Sequence, residues 1–159
     1  MKTSNEGYNL IKEFEKFEPR MYHCEAGRLT VGYGSRVYTD AEIFKYKDGI
    51  SEYQATELLI FHCKELEMFV NKYFKLQTQS QFDALVSLLY NIGVYTFKKS
   101  KAFKLLEGND YEKATVEMFD KKKGFVKCNE GILKGLVRRR EAERKLWYKD
   151  NVAMADRNI

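Results

Sequence analysis

The chain contains a single proline, Pro19, and its ten glycines lie mainly between Gly27 and Gly34 or at the ends of helical patterns. Proline and glycine are the residues that most strongly interrupt regular structure. The sequence therefore concentrates its non-helical backbone in one short region and leaves the rest of the chain free to form helices. It predicts a mostly helical protein with one small β region.

The first helix is predicted over about residues 4–17. Thr3 and Glu6 have the spacing of a capping box, in which each side chain binds a backbone N–H at the start of a helix. Four apolar residues follow at helical spacing and form one face: Leu10, Ile11, Phe14 and Phe17. Pro19 disfavours the helical conformation at the residue before it, so we expect the helix to end near Phe17.

A β hairpin or meander and a long helix are predicted next. Residues Tyr22 to Tyr38 include a strand rich in β-branched and aromatic side chains at Leu29 to Gly34. Ser51 and Gln54 then form a second capping box, and an apolar stripe continues from it to Phe74. A helix of this length, about residues 51–74, can link two lobes.

The remaining helices are predicted to form the larger lobe, over about residues 75–149. Thr78 caps a strongly apolar helix that ends at Gly93, and we expect this helix to be the most buried. Shorter helices are predicted over about residues 97–107 and from a cap at Asn109 to about residue 120, followed by a last helix over about residues 133–149. Residues 151–159 have the composition of a tail. The sequence thus predicts one two-lobed α+β domain over residues 1–150, with the small lobe at about residues 18–50.

Composition narrows the class of protein further. The 159 residues are 44% hydrophobic and carry a net charge of +5, which favours an anionic partner such as nucleic acid, lipid or bacterial wall polymer. Three cysteines without close pairs indicate neither a disulfide framework nor a zinc site, and no metal or organic cofactor is expected. We also expect no signal peptide, no membrane anchor and synthesis in a reducing cytoplasm.

A carboxyl, a thiol and a hydroxyl flank the join between the first helix and the hairpin. Glu15 and Glu13 both lie at the margin of the helical stripe, and helix geometry alone does not rank them. The spacing of Glu15, Cys24 and Thr30, with eight and then five residues between them, resembles the catalytic triad of phage-type lysozymes. These are the muramidase endolysins of glycoside hydrolase family 24, in which the second position is Asp or, in some members, Cys.

Further segments resemble the same family in the same order. They are the strand Leu29-Thr30-Val31-Gly32-Tyr33-Gly34, the start of the long helix at Ile50 to Ala55, the core helix from Gln79 to Gly93, and the last helix from Gly135 to Arg144. Ser35 stands where family members often carry His. The resemblance implies a lysozyme-like α+β fold and hydrolysis of the β-1,4 bond between N-acetylmuramic acid and N-acetylglucosamine in peptidoglycan.

The resemblance also implies roles for individual residues. Glu15 would act as general acid, and partial desolvation beside Phe14 and Phe17 would favour its protonated form. Cys24 and Thr30 would position the attacking water, with Cys24 either as a neutral thiol, which we favour, or as a thiolate. The substrate-binding residues would be Tyr90, Asn91 and Ser100, although Tyr90 could equally be a core residue.

The partners implied are peptidoglycan strands and a holin that releases a monomeric enzyme from the host cytoplasm. Two other functions stay open on the sequence. One is an inactive lysozyme-fold protein that binds the wall, because Cys24 replaces a carboxylate. The other is a nucleic-acid-binding module that uses the basic helix from Arg138 to Arg144. A basic run is usually a solvated face, and the sequence does not decide which of Arg138, Arg139 and Arg140 approaches Glu15.

Overall fold

The computed structural model describes residues 1–24, 27–128 and 131–155. It is mostly helical, with a small three-stranded antiparallel sheet, and it confirms the predicted α+β class. The chain order is one helix, the sheet, a short helix, one long helix and then the helices of the larger lobe.

Helix α1 spans Asn5–Glu15, so both of its predicted ends are wrong by a residue or two. Ser4, and not Thr3, is the N-cap, and its hydroxyl accepts a hydrogen bond from the Gly7 N–H. The backbone N–H of Thr3, which Glu6 would bind in the predicted capping box, donates to Glu67 instead. The helix stops before Phe17 because Lys16 adopts a positive φ of 59°, which no helix continues.

The sheet consists of β1 (Glu18–His23), β2 (Leu29–Gly32) and β3 (Ser35–Arg36), paired in that order. It is therefore a meander, one of the two forms that the sequence predicted. Thr30 of β2 pairs with Tyr22 on one side and with Arg36 on the other. Helix α2 (Asp40–Tyr46) follows and was not predicted, although Thr39 and Glu42 form a complete capping box at its start.

Helix α3 spans Glu52–Tyr73 and agrees with the predicted long helix. Ser51 and Gln54 form the expected capping box, and Phe74 ends the helix in an extended conformation. Helix α3 contacts β2 and β3 of the sheet and also contacts α4, the next helix (Gln79–Ile92). The long helix therefore joins the sheet region to the helical region.

The larger lobe surrounds α4 (Gln79–Ile92), whose residues from Ser80 to Leu89 are all buried. Helix α4 contacts α1, α3 and α8, as expected for its strongly apolar sequence. The other elements of this lobe are α5 (Val94–Lys98), α6 (Lys101–Glu107), α7 (Tyr111–Phe119), β4 (Lys127–Cys128), β5 (Gly131–Ile132) and α8 (Lys134–Ala155).

Three details of this lobe differ from the sequence prediction. The single helix predicted over 97–107 is two helices, because the Ser100 hydroxyl caps a new helix by accepting from the Phe103 N–H. Asp110, and not Asn109, caps α7, while Asn109 takes a positive φ of 58°. Helix α8 continues beyond Lys149 to Ala155, so part of the predicted tail is helical.

The core of the larger lobe is aromatic and aliphatic. Trp147 of α8 is 1% exposed and packs against Phe119 of α7, and Phe97 is completely buried. Cys63 is also completely buried and packs in the core as a small apolar residue, whereas the side chain of Cys128 lies outside the described part. None of the helices in the described ranges combines the length and apolar character of a membrane span.

We predict that His62, on α3, makes folding stability sensitive to mild acid. Burial lowers the pKa of His62, and Arg36 adds to this effect, while Glu65 and Glu42 oppose it. The unfolded chain therefore binds a proton that the folded chain disfavours, so the free energy of unfolding falls as pH drops below about 6.5. The loss is expected to be under about 1 kcal/mol because His62 is only half-buried.

The measurement is urea denaturation of His62→Gln and the parent chain between pH 5 and 7.5. The variant should lose part of the acid-dependent slope. His23→Gln is the matched control, since His23 is exposed at the end of β1. An unchanged slope in His62→Gln, or an equal change in His23→Gln, would contradict the assignment.

Candidate active site

Glu15 is the last residue of α1, and its carboxylate is held by an arginine of the last helix. The Oε1 atom of Glu15 lies 2.6 Å from Nη1 of Arg139. The side chain of Glu15 is 21% exposed, and that of Arg139 is 4% exposed. The carboxylate is therefore reachable from solvent while its partner is buried.

A strained backbone residue follows Glu15 directly. Lys16 has φ 59° and ψ 151°, a region that residues other than glycine rarely occupy. This conformation ends α1 and leads the chain into β1 within two residues. It places Glu15 at the junction of the helical lobe and the sheet.

The turn between β2 and β3 approaches Glu15 from the side of the sheet. Gly34, in this turn, has φ 79°, and a methyl group built on it would lie 3.3 Å from Oε2 of Glu15. The absence of a side chain at residue 34 thus allows both the turn and the close approach. The two carboxylate oxygens of Glu15 therefore have different neighbours, Arg139 at Oε1 and Gly34 at Oε2.

Thr30 and Cys24 belong to the β1–β2 hairpin. Thr30 is 4% exposed, and its hydroxyl donates to the Tyr22 carbonyl at 3.1 Å. Cys24 directly follows β1, is partly exposed, and its N–H donates to the Arg28 carbonyl. Since residues 22 and 30 are paired and residue 24 lies two positions further along, strand alternation puts residues 24 and 30 on one face. Glu25, whose negative charge would disfavour a thiolate at the adjacent Cys24, lies outside the described residues.

The three predicted substrate-binding residues already make bonds within the protein. The Tyr90 hydroxyl donates to the Tyr33 carbonyl at 2.7 Å, and burial raises the Tyr90 pKa, with the charge of Glu15 adding to the effect. Oδ1 of Asn91 accepts from Nη2 of Arg140 at 3.0 Å. The Ser100 hydroxyl caps α6 and donates to the Phe97 carbonyl.

A buried charge network lies behind Glu15. Glu143 is completely buried, and its Oε1 atom accepts hydrogen bonds from Arg139 Nε at 3.2 Å, Arg140 Nη2 at 3.0 Å and the Ser87 hydroxyl at 2.8 Å. Its Oε2 atom lies 2.8 Å from Nε of Arg140. The Arg139 Nη2 atom also donates to the Ser87 carbonyl. We name Glu15, Arg139, Arg140, Glu143 and Ser87 the buried charge network.

Burial acts on both ends of this network. It raises the pKa of Glu143, against the opposing charges of Arg140 and Arg139. It lowers the pKa of Arg140 to about 10, which leaves the guanidinium protonated at neutral pH. Complete burial of charged groups is sustained only where each charge has partners, and the network supplies them.

Sequence reasoning found Glu15 but did not identify the network. The arginine that approaches Glu15 is Arg139, and Arg140 is completely buried, so two residues of the basic run do not form a solvated face. Glu143 was not singled out at all. Its spacing of four residues from Arg139 and three from Arg140 is the helical ion-pair spacing and could have indicated it.

Surface grooves do not by themselves locate this site. A groove of about 720 Å³ lies between α1 and α8 and is lined by residues that include Leu10, Leu146 and Tyr148. None of the predicted site residues lines it. Among the described residues, no three His, Cys, Asp or Glu side chains are grouped as a metal site would require.

Comparison with known proteins identifies the family to which this arrangement belongs. The Phage lysozyme family model matches residues 12–143. The chain is 34% identical over 148 residues to the endolysin of Acyrthosiphon pisum secondary endosymbiont phage 1, covering 92% of this chain and 98% of that one. It is 36% identical to the endolysin of Bacillus phage B103, covering 92% of this chain and 54% of that one.

Solved structures share the fold. The muramidase domain of SpmX from Asticaccaulis excentricus superposes with a TM-score of 0.76 at 30% identity, covering 92% of this chain and 97% of that one. A mutant of P22 lysozyme gives a TM-score of 0.77 at 25% identity, covering 92% and 98%. The chain therefore belongs to the phage lysozyme family and is a peptidoglycan-hydrolysing endolysin, a glycoside hydrolase of the lysozyme type.

Proposed function

We propose that this endolysin cleaves the β-1,4 bond between N-acetylmuramic acid and N-acetylglucosamine and that Glu15 is its general acid. The observation that carries the proposal is the placement of the Glu15 carboxylate between Arg139 of α8 and Gly34 of the β2–β3 turn. Glycoside hydrolysis requires a carboxylic acid that protonates the leaving oxygen at the scissile bond. Of the two glutamates at the helix margin, Glu15 is half-buried at the lobe junction and Glu13 is exposed.

Glu15 must hold a proton to act in this role, and Oε1 of its carboxyl group accepts a hydrogen bond from Arg139. Arg139 is shared between two carboxylates, because its Nε atom also donates a hydrogen bond to Glu143. Bound glycan would exclude water from the exposed side of Glu15 and favour the neutral acid. We infer that the acid forms when the substrate covers this carboxyl group.

We propose that Thr30 and Cys24 position the water molecule that completes the reaction. Both lie on one face of the hairpin that follows Glu15. Cys24 is partly exposed, so water can reach it, whereas Thr30 already donates its proton to Tyr22 and retains lone pairs to accept from a water. A neutral thiol at Cys24 is enough to orient that water.

We also propose that Tyr90, Asn91 and Ser100 contact the glycan. Tyr90 and Asn91 end the core helix, and Asn91 and Ser100 are partly exposed. Their bonds to Tyr33, Arg140 and Phe97 orient these side chains without using all of their hydrogen-bonding capacity. The Tyr90 ring, rather than its occupied hydroxyl, would contact the pyranose.

Release through a holin, accumulation in the host cytoplasm and action as a monomer belong to the same proposal. The net charge of +5 supports attraction to the anionic wall. The nucleic-acid-binding alternative is disfavoured because Arg139 and Arg140 are 4% and 0% exposed and cannot reach a phosphate backbone.

Replacing the proposed acid tests the central claim. Glu15→Gln should lower the rate of clearing of outer-membrane-stripped bacteria by at least about 100-fold, because the amide donates no proton to the leaving oxygen. We expect a stability change of no more than about 1 kcal/mol, since Arg139 keeps its bond to Glu143. Glu13→Gln is the control and should keep full activity; the reverse pattern would place the acid at Glu13.

Gly34→Ala tests the contact between the turn and the carboxylate. The new methyl group would press on Oε2 of Glu15 at 3.3 Å, so activity should fall at least about tenfold. The positive φ should also cost about 1–2 kcal/mol of stability. Gly93→Ala is the matched control, because Gly93 has φ 80° and no heavy atom near the added methyl. Similar activity loss in both variants would show that backbone strain alone is responsible.

Cys24 variants test the water-positioning role. Cys24→Asp should keep or raise activity near neutral pH, and Cys24→Ala should lose much of it, because alanine offers the water no partner. A bulky thiol reagent should inactivate the parent chain and equally a variant with Cys63 and Cys128 replaced, since Cys63 is completely buried. Full activity in Cys24→Ala together with indifference to alkylation would remove Cys24 from the mechanism.

A further inference from the structure

We propose that Glu143 is a positioning residue for catalysis, which compensates the second guanidinium charge behind Glu15 and so keeps Glu15 able to hold a proton. The inference rests on the proposed role of Glu15 as general acid. It concerns a completely buried carboxylate that does not itself reach the substrate.

The first step is the geometry of Arg139. Its guanidinium is divided among three acceptors: Nη1 bonds to Glu15, Nε to Glu143 and Nη2 to the Ser87 carbonyl. A planar group held at three points has one orientation. Glu143 thus determines where Arg139 presents its charge to Glu15.

The second step is the charge of Arg140. Its guanidinium is 0% exposed, contacts Glu143 through Nε and Nη2, and gives its other bond to the neutral Asn91. Arg140 therefore has Glu143 as its only anionic partner within hydrogen-bond distance among the described residues. The two arginines and the two glutamates, Glu15 and Glu143, balance to zero.

The third step follows from the neighbours of Glu15. Among the described residues, Arg139 and Arg140 from α8 and Tyr90 from α4 interact with Glu15, and the β2–β3 turn meets it with Gly34. Arg138, also on α8, lies over the ring of Phe14. The surrounding charge is thus strongly positive unless Glu143 compensates it.

Without the Glu143 charge, two adjacent buried guanidinium groups would face one carboxylate. Such an environment stabilises ionised Glu15, and an ionised carboxylate cannot protonate a leaving oxygen. The expected effect is on the alkaline limb of the pH–activity profile, which is the range where activity falls because the general acid loses its proton. A residue with a purely structural role would lower activity or stability at every pH and leave that limb in place.

The experiment is the initial rate of clearing of outer-membrane-stripped bacteria from pH 4 to 9, with folding checked by circular dichroism at each pH. Glu143→Gln should move the alkaline limb to lower pH by about one unit, because the amide keeps the shape but not the charge. Glu141→Gln is the matched control: it makes the same charge change on the exposed side of α8, where Glu141 pairs with Lys121. Its limb should coincide with that of the parent chain.

Two further variants keep the test decisive if Glu143→Gln folds poorly. Arg140→Met removes one positive charge and leaves Arg139 between two carboxylates, so the limb should move to higher pH. Ser87→Ala removes a hydrogen bond to Glu143 without altering charge, so it should lower stability and leave the limb unmoved. Opposite shifts in the two charge variants would support the proposal.

A limb that stays in place in both Glu143→Gln and Arg140→Met, with Glu15→Gln inactive, would overturn this inference alone. An active Glu15→Gln would instead overturn the proposed acid. A limb shift of equal size in Glu141→Gln would assign the effect to overall charge on the anionic substrate and also overturn the inference.

Discussion

The ion pairs that Arg139 and Arg140 of α8 form with Glu143 of the same helix and with Glu15 of α1 are the interactions on which the rest of this structure depends. Two guanidinium groups at 4% and 0% exposure would carry a large desolvation cost if they were unpaired. Glu143 on the same helix and Glu15 on α1 supply the compensating charges, and Ser87 on α4 donates a further hydrogen bond to Glu143. Three helices are thereby tied together at the point where the proposed acid lies.

The same interaction links stability to chemistry. Removing Glu143 would leave two buried guanidinium groups without their shared carboxylate, at a cost of several kcal/mol, so the orientation of Arg139 toward α1 is hard to change. Glu15 benefits from this rigidity because its carboxylate is oriented by a group that cannot rotate away. The Glu15 side chain is 21% exposed, so its carboxyl group is held by Arg139 and is still reachable from solvent.

The sheet contributes to the site through backbone conformation at two residues. Lys16 turns the chain out of α1 with a positive φ, and Gly34 allows the β2–β3 turn to approach Glu15 without a side chain in the way. Both features place the small lobe against the end of α1. The long helix α3 contacts both the sheet and α4, which fixes the relation of the two regions.

The sequence by itself determined the helical class, the long linking helix, the core helix and the identity of the candidate acid, because these depend on local capping, hydrophobic spacing and a motif. Ser51 with Gln54 and Thr78 specify helix starts through bonds to residues only three positions away. Only the tertiary structure decided that Ser4 replaces Thr3 as the cap, that Arg139 is the partner of Glu15 and that Arg140 and Glu143 are buried. Those choices depend on contacts between residues as distant as Glu15 and Arg139, 124 positions apart, and no local pattern encodes which of the three adjacent arginines meets Glu15.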